Sequence, residues 1–154
     1  MKYLSFLQTT LSAILFSVFS YNTAYANNGL KMQLITNKVV DNAQGQINYI
    51  PVRTATAGTI IQYKVTYTNT LAKDINDLTI TLPIPTSMTF TGEAHPISAQ
   101  ASTDGKNYAD IPLMRLVDAK VIKIPFTEYR YLQWNIKILP AKKSADVSFN
   151  TIVK

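Results

Sequence analysis

The sequence predicts an all-β fold of antiparallel strands, and three observations predict it. Several stretches alternate apolar and polar residues with a period of two, which sends successive side chains to opposite faces of a sheet. Turn-forming pairs and prolines break those stretches at short intervals. Beyond the N-terminal segment, no run sustains a period of 3.6. Many short strands joined by turns build a sandwich or a barrel.

The first element is not a strand. Met1-Lys2-Tyr3 carries a positive charge, and an apolar stretch follows whose greasiest part is Leu11–Phe19. Ala24-Tyr25-Ala26 then precedes Asn27. Charge, apolar stretch and a small-x-small site are the three parts of a secretory signal peptide, so residues 1–26 are expected to be a helical leader cut between Ala26 and Asn27. A permanent anchor needs about 20 predominantly apolar residues, and Gln8, Thr9, Thr10, Ser12, Ser17 and Ser20 dilute this segment. No second apolar span follows, so no stable membrane anchor is expected after cleavage. The expected location is outside the cytoplasm, in the periplasm or at the cell surface.

Removing the leader leaves 128 residues, enough for one domain with its own core. The clearest strand is Ile61–Thr68: Ile61, Tyr63, Val65 and Tyr67 share one face, and Gln62, Lys64, Thr66 and Thr68 the other. Asp77–Leu82 points Leu78, Ile80 and Leu82 inward; Tyr131–Ile136 does the same with Leu132, Trp134 and Ile136. Ala145–Val153 turns Ala145, Val147, Phe149, Thr151 and Val153 inward. Weaker strands are expected over Leu30–Thr36, Asn48–Ala55, Met88–Thr91, Ile97–Ser102 and Val121–Ile124. The polar segment Asn37–Gly45 reads as a hairpin loop or a ragged connection. Asp104-Gly105 supplies the positive φ angles of a tight hairpin turn. Pro83, Pro85, Pro125 and Pro140 are expected at strand ends or edges, because proline gives a ladder no amide proton. The expected core includes Tyr63, Val65, Tyr67, Leu82, Trp134, Val147 and Phe149. The expected organisation is 27–50 as an N-terminal segment or first strands, and 51–154 as the sandwich.

Composition removes several chemistries. With no cysteine there is no disulfide framework, thiolate metal site, cysteine nucleophile or lipid-modified cysteine. The formal net charge is +6, and loss of Lys2 with the leader leaves +5. The basic residues are scattered, with only Lys142 and Lys143 adjacent, so nucleic acid is not an expected partner. His95 is the only histidine and lies beside Pro96 in the least regular region, which makes it a loop residue. An imidazole metal site needs more than one histidine or strong carboxylate help, so neither metal nor cofactor is expected. Met32, Met88 and Met114 read as core or edge residues. The acids are too dispersed for a calcium loop. No nucleophile elbow or Gly-rich oxyanion turn recommends a Ser-His-acid triad. Lys64 and Lys137, beside Asn residues, raise a Lys–Asn cross-link, but that needs a buried Lys, Asn and acid together. Tyr129 and Tyr131 flank Arg130, a contact patch if exposed.

Ala57-Gly58 followed by the alternating strand Ile61–Thr68 and Asn69-Thr70 resembles the opening of the bacterial repeat family called "domain of unknown function eleven". Leu78–Pro83, then Met88-Thr89-Phe90, then Trp134-Asn135-Ile136 leading to Leu139-Pro140 and Ala145–Val153, follow in that family's order. Ser102–Tyr108 resembles its Ser-x-Asp-Gly-x-x-aromatic hairpin. Ile84-Pro85-Thr86 and Ala141-Lys142-Lys143 depart from its turns. The resemblance spans residues 52–154. It implies an immunoglobulin-like sandwich, exported or on the cell surface, with structural or adhesive work and no catalytic residues. Trp134 would then plug the core. The expected role is a monomeric, non-enzymatic module that binds an unknown protein or envelope partner. The alternative is a subunit of a surface fibre or adhesin assembled by strand complementation.

Overall fold

The computed structural model describes Ala13, Ile14 and residues 29–154. The expected leader and its cleavage residues Ala24, Ala26 and Asn27 lie outside the described residues, apart from Ala13–Ile14. That pair forms a two-residue strand, β1, which pairs with β4 (Thr54–Ala55).

The remaining strands form antiparallel sheets. Strands β2 (Leu30–Asp41), β3 (Ile47–Pro51), β5 (Ile60–Asn69), β7 (Met88–His95) and β13 (Ser144–Val153) make a five-stranded sheet in the order β3-β2-β5-β13-β7. Strands β6 (Ile75–Pro83), β8 (Gln100–Ser102), β9 (Ala109–Asp110) and β12 (Tyr131–Leu139) make a four-stranded sheet in the order β6-β12-β8-β9. β10 (Met114–Val117) and β11 (Lys120–Lys123) pair only with each other. A 3-10 turn, Phe126–Glu128, follows Pro125.

The two large sheets share one core. Ile61, Tyr63 and Val65 of β5, Val147, Phe149 and Val153 of β13, and Met88 and Phe90 of β7 meet Ile80 and Leu82 of β6, and Leu132 and Trp134 of β12. This is a β-sandwich arrangement: alternation puts every second side chain into the space between the sheets. Tyr63 stacks on Phe149 with ring centroids 5.1 Å apart, and burial pushes its phenol above its ordinary range. The Trp134 indole nitrogen donates to the Pro96 carbonyl at 3.0 Å, so the large ring is buried without a stranded donor. Of the expected core residues, Tyr63, Val65, Leu82, Trp134, Val147 and Phe149 are buried, and Tyr67 packs against them part-exposed.

Several local expectations need correction. Asn37 is not in a loop: β2 runs on to Asp41, and the turn begins at Asn42, whose Oδ1 accepts from the backbone of Gln44 and Gln46. Leu30–Asp41 and Ile47–Pro51 are therefore strands of the five-stranded sheet. Asp104-Gly105 is not a two-residue hairpin turn. It sits in a longer loop wound round the Asp104 carboxylate, which accepts from Lys106 N, Asn107 N, Asn107 Nδ2 and Ser102 Oγ. Met114 and Met32 are both exposed, unlike Met88. Tyr129 is fully buried, with its hydroxyl accepting from Leu113 N at 2.6 Å, so it takes no part in an exposed patch.

Candidate functional site

The outer face of the five-stranded sheet carries an open trough of about 740 Å³. Antiparallel register builds it. Residues paired across neighbouring strands share a face, so Ile35, Lys64, Ser148 and His95 form one row over β2, β5, β13 and β7. Asn37, Gln62 and Asn150 form the adjacent row. Tyr49 and Pro51 of β3 make one rim, and Glu93 to His95 of β7 make the other.

A bulge shapes the second rim. Phe149 pairs with Ala94 and Thr151 with Phe90, so Thr91, Gly92 and Glu93 together stand opposite Asn150. Bulges bend a strand and re-aim its side chains. Gly92 takes φ 97, and a Cβ placed there would lie 2.8 Å from Phe126 Cε2. Only glycine fits that backbone at that approach. The bulge brings the Glu93 carboxylate to the Asn150 amide, which donates to it, while Thr91 Oγ1 donates to the Asn150 carbonyl at 3.2 Å.

The trough floor is polar and ordered. Asn37 Nδ2 donates to Gln62 Oε1 at 3.2 Å. Lys64 Nζ lies 2.8 Å from Asp146 Oδ2, and Thr66 Oγ1 donates to Asp146 Oδ1 at 2.6 Å. The Lys64 hydrogen bond, then that of Thr66, holds the Asp146 carboxyl below the ordinary carboxylate range. Asn37 and Asn150 are only 8% and 9% exposed although both sit on an outward face. Such a floor offers amide donors and acceptors, two carboxylates and an ammonium group to a polar ligand, with one phenol ring at the rim.

His95 ends β7 and lines this trough, which corrects its expected place in a loop. No side-chain hydrogen bond joins it to Ser148 among the described residues. Nor do three His, Cys, Asp or Glu side chains converge there as a metal site. Lys64 is half-exposed and bridged to Asp146, away from the buried Lys–Asn–acid grouping a cross-link needs. Among the described residues no helix is long and apolar enough to cross a membrane.

Sequence reasoning missed Asn37, Gln62, Glu93 and Asn150 as neighbours. The available signal was the polar face of the two best strands: Gln62 and Lys64 on one, and Asp146, Ser148 and Asn150 on the other. Comparison with known proteins found no family model, no curated protein and no solved structure that matches the chain.

Proposed function

We propose that the chain is an exported, non-enzymatic interaction module of the bacterial envelope or cell surface, an immunoglobulin-like sandwich that seats an extended polar ligand in the trough. The observation that carries this reading is the two polar rows crossing β2, β5, β13 and β7 beneath raised rims. Hydrogen-bonding groups fixed on strands are better positioned for recognition than groups on loops. The Gln62 amide nitrogen has no partner among the described residues, and its carbonyl is used only by Asn37, so donors remain for a ligand. The leader pattern over residues 1–26 supports export. The order of motifs over 52–154 supports the immunoglobulin-like assignment.

The final strand β13 is paired with β5 on one side and β7 on the other. That favours a self-sufficient monomer over a fibre subunit that awaits a donated strand.

Titration of the purified, isotope-labelled protein with a muropeptide, a maltooligosaccharide and a Gly-Ser-Asn peptide tests the reading. Saturable NMR shifts at the Gln62, Ser148 and Asn150 amides are expected with at least one probe. Shifts confined to the four-stranded sheet, or none with any probe, would overturn it.

A further inference from the structure

Among the described residues the β10–β11 hairpin stands outside both large sheets, with no strand paired to either of its edges. Its turn, Asp118-Ala119, has positive φ at both residues, 48 and 61, the geometry of a tight two-residue hairpin connection. An isolated two-stranded hairpin is marginal in water. At its base, Ile124 N donates to the Leu113 carbonyl at 2.9 Å and Leu113 N donates to the Tyr129 hydroxyl.

Register sorts its side chains. Met114 pairs with Lys123 and Leu116 with Val121, so these four share one face. Arg115 pairs with Ile122 and Val117 with Lys120 on the other. Arg115 donates two bonds, 3.0 and 3.2 Å long, to the carboxylate of Glu128, the last residue of the 3-10 turn. That fork ties the second face to the body of the protein and leaves the first facing away from it. Met114, Leu116 and Val121 are accordingly 53%, 68% and 66% exposed.

Three neighbouring apolar side chains held in water on a projecting hairpin mark a contact surface. Val117 and Ile122 on the opposite face are also exposed, each 40%. Arg115 is paired with Glu128, which leaves Lys120 and Lys123 against Asp118 as the other charged groups of the hairpin, on a chain of net charge +6. An apolar surface edged by lysines is the combination that binds anionic bilayers. We propose that the hairpin is a reversible contact element for anionic lipid surfaces. It lies flat with Met114, Leu116 and Val121 down. A tip-first approach would drive Asp118 and Lys120 in ahead of them. In the flat pose the open backbone edges stay at headgroup depth, where water and headgroups satisfy them, and Lys123 reaches up along its own stem. A second copy is a poorer occupant, because this face carries Lys123 and no carboxylate to pair with it.

Sedimentation of the purified protein with vesicles tests the proposal. The vesicles are a phosphatidylcholine–phosphatidylglycerol mixture, and phosphatidylcholine alone. The wild type is expected to pellet with the mixed vesicles more than with the neutral ones. Leu116→Ser with Val121→Ser lowers that partition by roughly tenfold or more, and Lys120→Glu with Lys123→Glu abolishes the preference for the anionic mixture. Each protein carries the same N-terminus, so residues 1–26 contribute equally to all. Unchanged urea unfolding of the serine variant shows that the sandwich is intact. Equal partition of wild type and serine variant, or no preference for the anionic mixture, would overturn the proposal. So would a wild-type dimer by light scattering that the serine variant dissolves.

Discussion

Asn69 closes the sandwich at one end, and its removal has a cost that follows from its contacts. The residue ends β5 fully buried. Its side-chain nitrogen faces three carbonyls: Lys73 at 2.9 Å, Leu139 at 3.0 Å and Pro140 at 3.1 Å. Its carbonyl oxygen accepts from Leu71 N at 2.9 Å. Two N–H protons serve three acceptors, so one bond is shared. One amide thus joins the β5–β6 turn to the β12–β13 turn. Asn69→Ala removes about three net hydrogen bonds at about 1 kcal/mol each. The Leu139 carbonyl, left in an apolar setting, adds about 1 kcal/mol. The expected loss is about 3–4 kcal/mol, a large part of the roughly 5–15 kcal/mol typical of a domain. Urea unfolding followed by fluorescence measures it, since Trp134 is the single tryptophan. Asn135→Ala is the matched control. Asn135 is exposed on β12, accepts only from Thr79 Oγ1 at 3.0 Å, and is expected to cost at most about 0.5 kcal/mol. A loss under about 1 kcal/mol at Asn69 would refute the pinning role.

Gly92→Ala places a Cβ against Phe126 at positive φ and is expected to cost about 1–3 kcal/mol in the same urea assay; an unchanged midpoint would contradict the bulge. Asp104 is held well below the ordinary carboxylate range, first by the Asn107 and Lys106 backbone N–H groups, and Asp146 is lowered chiefly by Lys64. A depressed carboxyl stabilises the fold above its unfolded pKa, and that contribution is lost as pH falls below about 4 toward the folded value. Thermal melts across that range should therefore show an acid limb that Asp104→Asn makes shallower, and an unaltered limb would count against the loop. Mass spectrometry of the protein recovered from outside the cytoplasm of a bacterial host that expresses the full chain should give a chain that begins at Asn27; residues 1–26 on that species would end the leader assignment.

The legible parts of the fold were the strands buried on one face only. Ile61–Thr68 and Ala145–Val153 alternate because one side meets the other sheet and one side meets water, and a period of two records that difference. The chain was silent where tertiary packing overrides the local signal. Asn37 reads as loop because a polar residue beside Lys38 has no local reason to be in a strand, yet β5 offers its backbone a partner through nine register pairs. Met114-Arg115-Leu116-Val117 lacks both alternation and a glycine turn, so β10 was invisible; Asp118 and Ala119 adopt positive φ without glycine. The trough was half legible. Gln62, Lys64, Ser148 and Asn150 were visible as an outward polar face, but the burial of Asn37 and Asn150 comes from rims that only the β3 hairpin and the Gly92 bulge create. His95 looked like a loop residue because Pro96 follows it, while the ladder with Ser148 keeps it in β7.

The trough exists only if β13 lies between β5 and β7, since that order sets Gln62, Asn150 and Glu93 side by side. Cross-strand backbone NOEs from β13 measure the order directly. Contacts from Val147 to Val65 and, on the other edge, from Phe149 to Ala94 are predicted. A β13 with contacts along one edge alone would contradict the sheet order and the site built on it.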